Sequence, residues 1–154
     1  MAELRYYWED LEIDSVRELG SHTITREEIM DFARQFDPQP FHLDEQAAKE
    51  SVFGGLCASG WHTCGLAMRL MVTNFLHEAA SLGSPGLEDV RWLKPVFPGD
   101  TLSLRHAILA KRPMNSRPDV GLVRTRWMMF NQDQAQVLHM EGWAMFRRRT
   151  PAAP

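Results

Sequence analysis

The stretch from Gly60 to about Ala80 constrains the fold more than any other part of the chain. Apolar side chains, Trp61, Cys64, Leu66, Met68, Met71 and Phe75 among them, recur along it almost all round the helix they would form. A helix of that kind is buried on most sides and does not lie on a surface. The C-terminal half of the chain can do the burying. Leu87 to Phe97, Thr101 to Lys111, Val120 to Phe130 and Gln136 to Arg147 read as strands, with turns at Pro98-Gly99-Asp100 and Asn131-Gln132-Asp133. One buried helix ahead of a run of antiparallel strands predicts an α+β domain with the sheet wrapped around the helix. Such a sheet leaves an edge or a face to cover, so a homodimer or higher homo-oligomer is expected.

The residues before Gly60 are organised differently. Arg5 to Ile24 is strand-like, broken near Asp14 and Gly20. Thr25 with Glu28 three residues on matches a capping box, and Ile29, Phe32, Ala33 and Phe36 keep one helical face, which predicts a helix over about 26–36. Pro38 disfavours helical backbone at Asp37 and should stop it. A second short helix is expected from Glu45 to about Glu50, with Asp44 as its N-cap. The 154 residues fit one domain spanning 1–154, with a flexible tail expected over 147–154.

Composition excludes several function classes. A net charge of −3 offers no broad attraction to nucleic acid or to a membrane surface. The most apolar run, GLAMRLMV, is short and interrupted by Arg69, so no membrane span is expected. MAELRYYWED lacks the layout of a signal peptide, and Cys57 and Cys64 lack ligand spacing; free thiols in a reducing cytoplasm are the expectation. The six histidines form no HxxxH or HExxH pattern, and GxSxG, a phosphate loop and a dinucleotide fingerprint are all missing. No metal and no cofactor are therefore expected.

Chemistry is concentrated in DPQPFHLD, Asp37 to Asp44. Asp37 and His42 are separated by as much as roughly 17 Å when the chain is extended. If the proline-stiffened loop folds back, the two side chains can converge on one water molecule. The positive end of the helix capped by Asp44 would favour neutral imidazole, the form that accepts a proton. The plainer reading is a helix exit that happens to contain a histidine. Gly60 carries a similar pair of readings: a free amide at a helix start suits a developing oxyanion, and a glycine there also suits tight packing. His62 reads first as a partly buried histidine, and Arg147 to Arg149 as a solvated strand end whose alternative is contact with ligand phosphates.

Phe36-Asp37-Pro38-Gln39-Pro40-Phe41-His42-Leu43-Asp44 resembles the Gly-Asp-x-Asn-Pro-hydrophobic-His-x-Asp segment of the MaoC-like dehydratases, which include the (R)-specific enoyl-CoA hydratases. FGGLCASGWHT and RWLKPVFPGDTL extend the likeness in order along nearly the whole chain. The resemblance implies a hotdog fold, a long central helix wrapped by an antiparallel sheet and paired as a dimer. It implies a hydratase or dehydratase acting on a 2-enoyl or 3-hydroxyacyl thioester, with an acyl-CoA as partner. Asp37 and His42 would hold and activate water, and the Gly60 amide would bind the thioester oxygen. Gln39, Phe41, Ser59 and Trp61 are the expected substrate contacts. Phe41, Trp61, Met68 and Phe75 can line an acyl tunnel or simply pack the core. Phe36 and Gln39 depart from the family pattern, where glycine and asparagine stand. Thioesterases of this fold commonly carry a carboxylate on the central helix; Trp61 to His77 has none, which disfavours that alternative. A non-catalytic acyl-thioester-binding module is the third reading.

Overall fold

The computed structural model describes residues 3–151. Four helices and five strands succeed one another in chain order: β1 (Val16–Thr23), α1 (Arg26–Phe36), α2 (Pro40–Leu43), α3 (Glu45–Glu50), α4 (Gly60–Asn74), β2 (Ser81–Trp92), β3 (Thr101–Met114), β4 (Arg117–Phe130) and β5 (Gln136–Arg147). The strands form one antiparallel sheet in the order β1-β3-β4-β5-β2. It curves around α4, which buries Leu66, Ala67, Leu70 and Met71 against Leu102, Leu104, Ile108, Val123, Met129 and Leu138. This is the expected α+β hotdog architecture.

Local chemistry explains the early helices. Thr25 accepts a hydrogen bond from Glu28 N at 3.1 Å and so caps α1. Asp44 accepts from Ala47 N at 2.7 Å and caps α3. The short α2 is not expected from the sequence: Pro40, with its φ already fixed, starts a single helical turn inside what reads as a stiff loop. β1 begins only at Val16; Trp8–Asp10 before it is a 3₁₀ turn. The two expected breaks are real, with Asp14 at φ 69° and Gly20 at φ 82° inside a bulge of the β1–β3 ladder.

Four further expectations are corrected. α4 stops at Asn74, six residues short of Ala80, because the Asn74 amide donates to Leu19 O and Leu70 O, and Ala80 N bonds Tyr6 O. One face of α4 is also open, since Trp61, Met68 and Val72 are exposed. β2 covers Ser81–Trp92, not Leu87–Phe97. The Gly-, Ser- and Pro-rich SLGSPG lies ahead of the expected strand, yet it pairs with β5 through register shifts around Gly83 and Gly86, and Pro85 is tolerable because β2 is an edge strand. The β3–β4 hairpin closes tightly around Asn115-Ser116, so both strands run closer to the turn than the expected limits at Lys111 and Val120.

At the far end, Arg148 N bonds Asp119 O at 2.8 Å and Arg149 N bonds Glu9 Oε2 at 2.8 Å. The guanidinium groups of Arg148 and Arg149 lie over the rings of Trp8 and Tyr7. Arg148 and Arg149 are thus docked on the N-terminal segment, while Arg147 is exposed at the end of β5. Residues 152–154 of the expected tail lie outside the described residues.

Candidate functional site

Pro38 and Pro40 do fold the loop back. α1 ends with Asp37 N–H donating to Ala33 O, and the next two bonds, Gln39 N to Asp37 O and His42 N to Gln39 O, reverse the chain. The result is a separation of 3.3 Å between Asp37 Oδ2 and His42 Nε2. On the other side of the ring, His42 Nδ1 lies 2.6 Å from Cys57 O. A carbonyl oxygen only accepts, so Nδ1 carries the proton and Nε2 presents its lone pair in the neutral ring. His42 is buried, and Phe41 packs edge-on against its ring with centroids 4.5 Å apart.

Burial alone would raise the Asp37 pKa, but it is outweighed. The Ser59 hydroxyl, the Gln39 amide and the neighbouring His42 together hold the carboxyl below its ordinary value of 3.8. Gln39 Nε2 donates to Asp37 Oδ1 at 2.7 Å. Ser59, at the N-cap of α4, is completely buried, and its Oγ has no hydrogen-bond partner fixed among the described residues. Its hydroxyl is therefore free to turn toward Asp37.

Gly60 is the first residue of α4, where backbone N–H groups have no intrahelical acceptor. Here glycine is also demanded by packing, because a β-carbon at position 60 would meet the Trp92 indole at 2.5 Å. Asp37, His42, Ser59, Gly60 and Trp61 all face one cleft of about 310 Å³, which Trp92 to Val96 also line. Trp61 is 63% exposed at this cleft and packs edge-to-face on Trp92 with ring centroids 5.2 Å apart. The arrangement can hold a water between a carboxylate and an imidazole lone pair, with a helix-start amide nearby.

Other expected contacts fall elsewhere. Phe41 stands behind His42 against Phe53 and is not part of the cleft wall, and Gln39 is bound to Asp37. Met68 lines two further cavities of about 330 and 210 Å³ between α4 and the sheet, whereas Phe75 is core. His62 is buried, stacked on Phe32 at 4.6 Å, with burial drawing its pKa down. Sequence reasoning missed the Cys57 carbonyl, Phe53, Trp92 and Lys94. A backbone carbonyl leaves no signal in residue type, and the 92–96 segment meets the cleft by tertiary contacts such as Ala58 N to Val96 O.

The MaoC like domain matches residues 11–126 of the chain. The crystal structure of the MaoC-like dehydratase from Rhodospirillum rubrum superposes with a TM-score of 0.85 at 38% identity, covering 95% of this chain and 99% of that one. The uncharacterized protein YdeM of Bacillus subtilis is 27% identical over 140 residues, 91% of this chain and 98% of YdeM. The mesaconyl-CoA hydratase of Cereibacter sphaeroides is 44% identical over 70 residues, which are 45% of this chain and only 20% of that enzyme.

Proposed function

The chain belongs to the MaoC-like domain family, and we propose that it adds water to a 2-enoyl-CoA thioester, or removes it from the corresponding 3-hydroxyacyl thioester. The observation that carries this reading is the 3.3 Å approach of Asp37 Oδ2 to His42 Nε2 at the wall of an open cleft. The names of its relatives, a mesaconyl-CoA hydratase and a MaoC-like dehydratase, support the reaction class and the CoA ester.

Carbon 3 of an enoyl thioester is electrophilic because the carbonyl accepts charge as an enolate. Water held between Asp37 Oδ2 and His42 Nε2 forms its O–C3 bond while losing a proton to the pair. The electron pair of the double bond moves to the thioester oxygen, where the Gly60 amide donates. The pair then returns a proton to C2 and the carbonyl re-forms. General acid–base help of this kind contributes about 10²–10⁴-fold. One preorganised oxyanion donor contributes about 3–4 kcal/mol. No redox partner enters the balance.

The same reading includes a homodimer built on β2. That edge strand is exposed along most of its length and carries Leu82, Leu87 and Trp92, next to the open face of α4. Sedimentation of the purified protein should give twice the monomer mass.

Incubation with crotonyl-CoA tests the activity. Loss of enone absorbance in the wild type, abolished in folded Asp37→Asn and His42→Ala proteins, is the expected result. Full hydration by either variant would sink the assignment, and release of free thiol would favour a thioesterase instead.

A further inference from the structure

Gln39 stands between two prolines, so its own N–H is the only backbone donor in the 38–40 segment. Three hydrogen bonds join it to Asp37 or His42. Its N–H donates to Asp37 O at 2.8 Å, its carbonyl accepts from His42 N at 3.0 Å, and its side-chain Nε2 donates to Asp37 Oδ1 at 2.7 Å. It occupies the N-cap of α2, yet its side chain caps nothing there. An exposed, rotamer-rich side chain is thus committed to one oxygen of the carboxylate and not to its own helix.

We propose that Gln39 is a positioning residue that selects the working oxygen of Asp37: its amide occupies Oδ1 and leaves Oδ2 opposite His42 Nε2 for the reacting water. The inference rests on the hydratase reading for its kinetic part only. A carboxylate without this donor can rotate about its terminal bond and offer either oxygen. A donor fixed on Oδ1 stops that rotation and draws charge away from Oδ2, so the pair gains geometry and gives up some basicity. This role differs from the substrate contact that the sequence suggests for Gln39. The two make opposite predictions, because a lost substrate contact raises KM, whereas a lost positioning contact lowers kcat and moves a titration.

The test combines ¹³C NMR titration of the Asp37 carboxyl carbon with steady-state crotonyl-CoA kinetics in wild type, Gln39→Met and Gln39→Ala. Methionine keeps the length of the side chain and removes the donor; alanine removes both. The expected result is that Asp37 titrates at higher pH in both variants. The acid limb of kcat/KM should move the same way, and kcat should fall about ten-fold with KM within about two-fold. An unchanged Asp37 titration overturns the proposal, as does a loss confined to KM. The titration needs no turnover, so a wild type that proves inactive on every enoyl thioester would refute the hydratase reading and leave this inference to stand or fall on the NMR shift alone.

Discussion

His42 and His106 are both almost completely buried, at 5% and 2% exposure, and they could hardly be placed more differently. His42 has a carbonyl on one nitrogen and a carboxylate opposite the other. His106 sits on β3 in register with Arg17, between the rings of Phe75 and Trp127, and its Nδ1 has no partner among the described residues. A proton arriving at His42 meets the negative charge of Asp37. One arriving at His106 meets an apolar wall and the positive charge of Arg17, and its pKa is pushed down to about 4 by burial first and Arg17 second. Burial is common to both sites; the polar neighbours set them apart.

The strongest way to break the comparison is to make the first site resemble the second. Asp37→Leu leaves His42 buried and anchored to Cys57 O but without its carboxylate. Crotonyl-CoA hydration should fall by about 10²–10⁴-fold while the thermal midpoint stays near that of wild type.

The next test removes His106. In the unfolded chain this group protonates near its ordinary 6.5, and in the folded protein only near about 4. Below pH 6.5 the unfolded state therefore binds more protons, and stability is lost as pH falls from 6.5 toward 4. The loss between pH 7 and pH 5 is about 2 kcal/mol. Urea unfolding of His106→Phe should lack that dependence, with hydration activity within about two-fold of wild type. A His106→Phe protein with wild-type pH dependence would mean that the imidazole is solvated after all.

The smallest effect sharpens the comparison from the carboxylate side. Ser59→Ala removes one donor from Asp37 without touching the pair itself, and should lower kcat roughly three- to ten-fold while raising the pH of the acid limb.

Much of this architecture is legible in the residues alone. β5 and α1 match their expected bounds because their signals are local: an apolar, aromatic-bearing run after a turn over Gln136–Arg147, and a capped amphipathic repeat ended by proline over Arg26–Phe36. β2 is displaced from its expected bounds because its first half, SLGSPG, gains strand geometry only from pairing with β5, and pairing is not a local property. The end of α4 escapes the sequence for the same reason, since the groups that stop it belong to Tyr6 and Leu19. At the site, the types and spacing of Asp37, His42 and Gly60 leave two readings open, and only the resemblance of the Phe36–Asp44 segment to the MaoC-like motif tips them toward chemistry. Gln39 is legible as an oddity and not as a brace, and Cys57 is invisible because it acts through its carbonyl.

The contact between Gly60 and Trp92 carries a consequence for substitution. An indole stands where the first carbon of any other side chain at position 60 would be, 32 positions away along the chain. Any other residue at 60 requires the Trp92 ring to move or shrink, so what is tolerated at one position depends on what occupies the other. Gly121, whose added β-carbon would lie 2.2 Å from Trp8, couples a second pair in the same way. Two tryptophans thus tie distant parts of the sequence together, one at the cleft and one toward the other end of the sheet.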